Sequence, residues 1–163
     1  MTVEEIRIRP YDEKDVPEIV RLFYETIRSV NLADYSQEQV EAWAPEIPDP
    51  DAWNARLSGR RTLVAEEGGE VVGFAEIEGD GHLDTFYCRK DSVGRGVGSR
   101  LYLAVEQEAL TLRCDQIFTE ASITARPFFE RHGFRTIRER TVVRRGVELT
   151  NFAIEKRLHP PGP

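Results

Sequence analysis

Cysteine is scarce: the chain has only Cys88 and Cys114, and they form no Cys-x-x-Cys pair. A disulfide framework is thereby excluded, no zinc set is written in the chain, and no metal is expected. Cys88 closes an apolar stretch, where an inert, packed thiol is expected rather than a nucleophile. No apolar run approaches the roughly 18 residues of a membrane span, and Glu4 and Glu5 stand where a leader would turn apolar. A cytoplasmic protein without a membrane partner is the expectation. Positive charge is also short, with a net charge of −7, which argues against nucleic acid as a general partner. Only three of the 22 basic residues are lysine, a skew to which no function attaches. No Gly-Lys-Ser/Thr sequence is present, so the nucleotide-triphosphate loop is a poor fit.

What is there suits one globular domain. The chain has 163 residues, 40% of them hydrophobic and 31% charged, enough for a real core. The domain is expected over residues 1–158, with the Pro/Gly-rich residues 159–163 as a disordered tail. Ile6 to Arg9 alternates as a short strand, and Pro10 closes it. Asp12 or Asp15 can cap a helix in which Ile19, Leu22, Phe23, Thr26, Ile27 and Val30 recur at helical spacing to about Asn31. Ser36 with Gln39 opens a second helix that ends before Pro45, and Asp51 to Leu57 reads as a third. Three strands follow: Thr62 to Glu66, Glu70 to Glu78 and His82 to Cys88, joined by turns at Gly68-Gly69 and Gly79-Asp80-Gly81. A long amphipathic helix carries Val97, Leu101, Ala104, Val105, Ala109 and Leu112 on one face. The strand Gln116 to Glu120 comes next, expected in parallel placement through a right-handed crossover. A short helix from Ala125 to His132 and a hairpin turning at Arg145-Gly146 complete the chain.

The chain is organised around the stretch from Cys88 to Leu101, which reads as strand end, glycine loop and helix start. Gly94, Gly96 and Gly98 permit positive φ and leave no Cβ between main chain and ligand. A helix N-terminus there points free N–H groups and partial positive charge outward, and Arg95 and Arg100 add full charges. The physical reading is a phosphate cradle. The dinucleotide fingerprint G-x-G-x-x-G fits poorly, because the loop reads G-x-G-x-G.

This segment resembles the pyrophosphate loop of the GNAT acetyltransferases, written Gln/Arg-x-x-Gly-x-Gly/Ala. Gly96 and Gly98 fill the glycine positions, and Val93 stands at the Gln/Arg position as a departure. A second segment, Ala125 to Phe134, is similar to the family's Ala-x-x-x-Tyr-Glu-x-x-Gly-Phe motif, with Gly133 as helix stop and Phe134 returning to the core. The element order β-α-α-β-β-β-α-β-α-β-β is also the family's. The resemblance covers nearly the whole chain and implies an α+β fold with a central mixed sheet flanked by helices. The run Asn31 to Pro45, with Glu120 to Phe129, resembles a YafP-type bacterial subgroup.

The resemblance further implies an acetyl-CoA-dependent N-acetyltransferase, with acetyl-CoA as cosubstrate and a small-molecule amine as acceptor. Phe86, Tyr87 and Cys88 would pair their backbone with the pantetheine arm, and one N–H there would polarise the thioester. The loop Val93, Gly94, Arg95, Gly96, Val97, Gly98, Ser99 and Arg100 would hold the pyrophosphate. Ser122 matches a common Asn position near the cofactor. Phe129 matches the usual Tyr general acid and cannot donate a proton, so the thiolate would be protonated by water or another residue. For the base, His82 matches a strand Glu, and its ordinary pKa near ~6.5 suits proton abstraction at neutral pH. Asp84 shares its strand face and would raise its basicity. Glu120, ending the neighbouring strand, is a second candidate base. His82 also reads as a turn residue and Asp84 as a solvated carboxylate. His132 reads as a helix-end residue.

In this topology the first two helices and their joining loop cover one side of the cleft. Tyr24, Asn31, Tyr35 and Trp43 are therefore the candidate substrate contacts, each with an ordinary packing reading beside it. Glu25, Asp34, Glu38, Glu41 and Glu46 make that region acidic, which suits a cationic amine or simply a solvated face. No activated Cys or Ser nucleophile is written, so direct transfer in a ternary complex is expected. A homodimer is compatible with the family. The missing Tyr and Asn also leave open a non-catalytic acyl-CoA-binding module, and the glycine loop alone a nucleotide-binding regulator.

Overall fold

The computed structural model describes residues 5–92 and 94–158; the expected tail and Val93 lie outside them. β1 (Arg7–Pro10) leads to a 3-10 turn at Glu13–Asp15, where Asp12 accepts from Lys14 N and Asp15 accepts from Asp12 N. Asp15 also takes two hydrogen bonds from Arg9, fixing the start of α1 (Val16–Ser29) against the strand. α1 stops two residues short of the expected end and continues as a 3-10 turn, Val30–Ala33. α2 (Gln37–Trp43) opens on the expected capping box, Ser36 with Gln39. α3 (Pro50–Ser58) starts at a proline and is capped by Asp49.

β2 (Arg61–Glu67), β3 (Glu70–Ile77) and β4 (Leu83–Cys88) form with β1 an antiparallel sheet in the order β1-β2-β3-β4. β3 is buried on both faces because each face meets a different layer. Val64, Val71 and Phe74 pack with α1 and Leu57 of α3. Their alternating neighbours Ala65, Val72 and Ala75 pack with Val97, Leu101 and Val105 of α4 (Val97–Thr111). A second sheet, in the order β5-β7-β6, is built from β5 (Gln116–Ser122), β6 (Arg135–Arg144) and β7 (Val147–Arg157), with α5 (Arg126–Arg131) between its first two strands. Among the described residues no helix is long and apolar enough to cross a membrane.

The two sheets meet where β5 runs beside β4, in the parallel placement expected. β5 pairs along its whole length with β7, antiparallel, and touches β4 through a single parallel bridge, His82 with Phe118. Phe118 N donates to Gly81 O at 3.0 Å, and Thr119 Oγ1 donates to Leu83 O at 2.6 Å. Gly81 allows this pinning: its φ is +94°, and a Cβ would lie 2.1 Å from Gln116 O. Beyond Thr119 no further ladder pairing joins β4 and β5 among the described residues, and the strands splay. The fold is α+β, its strand ladders antiparallel and its one parallel element the bridge at the splay.

Candidate active site

The splay opens a cavity of about 630 Å³. One wall is the free edge of β4 from Asp84 to Cys88, and the other is β5 from Thr119 to Ser122 with the turn into α5. Gly94, Gly96, Gly98 and Ser99 close one end. Gly94 and Gly96 have φ of +83° and +86°, and a Cβ on either would meet nothing within 4 Å. Gly96 caps α4 without a side chain, so the first N–H groups of a 15-residue helix face the cavity unshielded. Gly98 is closely packed: a Cβ there would lie 3.1 Å from the Phe128 ring, which would have to give by a few tenths of an ångström. An open strand edge leading to bare helix-end donors fits an extended ligand with a phosphate head.

Of the loop's arginines, two are paired with carboxylates and the third meets a backbone carbonyl. Arg95 pairs with Glu67 at 3.0 Å, Arg89 with Glu70 and Asp91, and Arg100 donates to Ile6 O. Val97 is buried in the core behind the loop. Arg131 of α5 does line the cavity, and among the described residues it pairs with no carboxylate. Sequence reasoning missed it, although it lies next to the Phe-Phe-Glu segment that drew attention to the helix. Cys88 also lines the cavity, and burial pushes its thiol up to about 12, so it stays protonated. Its carbonyl accepts from Thr26 Oγ1 at 2.8 Å, an α1 contact the sequence did not reveal. Phe129, 3% exposed, packs on Phe86, Tyr102 and Phe134 at the cavity floor. Ser122 Oγ accepts from Ala125 N at 3.0 Å, which fixes the turn into α5.

His82, Asp84 and Glu120 are brought together in unequal roles. Glu120 lines the cavity; His82 sits behind it, its ring stacked on Phe118. Its Nε2 lies 2.8 Å from Glu120 Oε1 and its Nδ1 3.1 Å from Glu78 Oε1. Burial works to lower the pKa of His82, but the hydrogen bonds to Glu120 and Glu78 outweigh it and raise the pKa above its ordinary value. Asp84 is paired with Arg60, which also reaches Glu78 and the fully buried Glu76. Glu76 is further held by Arg56 at 2.7 Å and Thr85 Oγ1 at 2.8 Å. Glu78, His82 and Asp84 converge within 4.8 Å, but the Arg60 guanidinium already supplies the cation there.

A second cavity, about 380 Å³, adjoins the first; Trp43, Asp84, Thr85, Tyr87, Glu120 and Ser122 line both. Its aromatic wall is Phe23, Trp53 and Tyr87 in edge contact. Of the expected substrate residues, Trp43 lies at the junction, Tyr35 lines the second cavity and Asn31 the first. The Tyr35 hydroxyl is occupied, donating to Thr150 O at 2.6 Å and accepting from Ile123 N at 2.9 Å. Tyr24 lines neither cavity and lies under the Arg28 guanidinium. The acidic residues expected from the first two helices are not in the wall; Asp84 and Glu120 are, with Arg56, Arg144 and Arg145.

Comparison with known proteins agrees with this geometry. The family model described as acetyltransferase (GNAT) domain matches residues 31–156. The chain is 34% identical over 148 residues to the uncharacterized N-acetyltransferase YafP of Escherichia coli (strain K12), covering 90% of this chain and 93% of that protein. It is 36% identical to a solved structure described as a GCN5-related N-acetyltransferase, aminotransferase class II, from Rhodopseudomonas palustris, with a TM-score of 0.89 and coverage of 97% and 99%. The structure of YncA, a putative acetyltransferase from Salmonella typhimurium with its cofactor acetyl-CoA, shares the fold at 18% identity, with a TM-score of 0.75 and coverage of 98% and 97%.

Proposed function

The chain belongs to the GNAT acetyltransferase family, and on that basis we propose that it moves an acetyl group from acetyl-CoA to the primary amine of a small molecule, by direct transfer within a ternary complex. The observation that carries the reading is the junction of the two cavities at Glu120, between a strand edge ending in bare helix-end donors and an aromatic chamber. The β4 edge and the main chain of residues 94–99 hold the thioester and its phosphates. The second cavity holds the amine.

In the transfer, the amine nitrogen forms a bond to the acetyl carbon and the carbon–sulfur bond breaks. Glu120 takes the ammonium proton that must leave before attack. His82, with its Nε2 2.8 Å from Glu120 Oε1, positions that carboxylate. With Phe129 unable to give a proton, the proton that the attacking nitrogen sheds as the amide forms passes through water to the leaving thiolate. The high pKa of Cys88 supports direct attack over an acyl-enzyme. A cytoplasmic setting goes with this reading, since both cysteines are free thiols.

The test is Glu120→Gln. Turnover should fall roughly 10²- to 10⁴-fold, the usual contribution of a general base, with acetyl-CoA binding retained. Undiminished turnover would remove Glu120 from the mechanism.

A further inference from the structure

The second cavity is electrically polarised along its length. At the junction with the first cavity, Glu76, Glu78, Asp84 and Glu120 face only Arg56, Arg60 and His82, so carboxylates outnumber cations even with His82 protonated. Asp84 is held by Arg60, whereas Glu120 lines both cavities and its one partner, His82, is at Oε1, so Glu120 is the carboxylate best placed to meet a ligand. At the far end the β6–β7 hairpin contributes Arg144 and Arg145. Among the described residues neither pairs with a carboxylate: Arg144 reaches only Val143 O at 3.4 Å, and Arg145 donates to Ala42 O at 2.7 Å. A backbone carbonyl carries no net charge, so two guanidinium charges at the cavity mouth stand uncompensated.

The separation of the two ends follows from strand register. Glu120 lies opposite Ala153 of β7, and Arg144 lies opposite Val147, six residues away along the same strand. At roughly 3.3 Å per residue the backbones are about 20 Å apart, and the long arginine side chains reach back along the groove. Between the two ends stand the aromatic walls Phe23, Trp43, Trp53 and Tyr87. A purely cationic amine would be drawn to Glu120 and repelled at the mouth.

Resting on the acetyltransferase reading above, we propose that the acceptor is a zwitterionic small molecule: a primary amine on a flat or apolar body whose far end carries a carboxylate or phosphate-type anion. Glu120 takes the ammonium end, the aromatic walls take the body, and Arg144 and Arg145 take the anion, as guanidinium does well for either oxyanion.

The test uses matched probes with the purified full chain and acetyl-CoA: 4-(2-aminoethyl)benzoic acid, its uncharged amide, and the corresponding phenylphosphonic acid. Turnover is followed by CoA release, and probe binding by thermal unfolding in the presence of CoA. The acids should exceed the amide in kcat/KM by about tenfold, the scale of one charge-assisted hydrogen bond, and a lead for the phosphonate would favour a phosphate-type acceptor. Arg144→Gln with Arg145→Gln should cut the acid-to-amide ratio by a similar factor through KM. Arg144→Glu, a conservative surface change for folding, should reverse the preference. If acetyl-CoA itself fails to bind, the acetyltransferase reading fails and this inference falls with it. If acetyl-CoA binds but acid and amide are used equally, or the ratio is indifferent to both variants, the inference alone is overturned. It is likewise overturned if acetyl-CoA binds and no probe is turned over or bound.

Discussion

His82 is held by a carboxylate on each ring nitrogen, and that arrangement says what the residue is for. Both nitrogens donate to carboxylates when the ring is charged, so the geometry stabilises the imidazolium rather than a free base. Because the folded-state pKa is raised, the pairing adds stability that is fully present below the ordinary value near ~6.5 and is lost as pH climbs through the folded value. The stability difference between wild type and His82→Gln should therefore be larger at about pH 6 than at about pH 9, read by urea unfolding. A difference independent of pH would mean the ring is not charged in the fold. The sequence offered His82, supported by Asp84, as the first candidate base and Glu120 as the second; in the structure it is Glu120 that lines the cavity, with His82 behind it. Which of them faces the cavity depends on Arg60, 24 residues before Asp84, and on a strand 38 residues beyond His82.

At the scale of elements, the splay between β4 and β5 rests on a glycine that local signals mark only as a turn. Gly81→Ala would place its Cβ against Gln116 O in a left-handed backbone conformation, and should cost at least about 2 kcal/mol in denaturant unfolding. Gly94→Ala, with open space around its Cβ, should cost only about 1 kcal/mol of backbone strain. Equal losses would show that the pinning point is not where strain enters. The helices, the capping box at Ser36 and the hairpins were legible because each is set by residues within a turn of one another. The partner of β5 was not. Its place parallel to β4 follows from the helical crossover, but its long antiparallel ladder is with β7, in a hairpin that folds onto it from the end of the chain. Nor does any local rule announce the left-handed turn at Arg145, φ 49°, although Gly146 beside it marks a bend.

Across the whole molecule, charge and shape disagree with what composition suggests. The chain is acidic overall, and its early helices more so, yet the mouth of the aromatic cavity is cationic because the last hairpin swings over it. The glycine loop was readable as a cradle from its residue types, whereas the second cavity draws on seven separate elements and has no linear signature. The functional reading rests on the cradle. Gly96→Asp should abolish acetyl-CoA binding, because a carboxylate there would face the phosphates, while its Cβ meets nothing within 4 Å and the left-handed backbone should cost only about 1 kcal/mol of stability. The deciding experiment is thermal unfolding of wild type with acetyl-CoA, CoA, ATP and NAD at equal concentration, with Gly96→Asp alongside. At a hundred times its dissociation constant a ligand stabilises by about 2.7 kcal/mol, or about 5–10 °C for a chain of this size. Acetyl-CoA and CoA should each produce that shift, ATP and NAD should not, and Gly96→Asp should lose it. A shift with ATP or NAD but none with either thioester or thiol would contradict the cradle's assignment to acetyl-CoA.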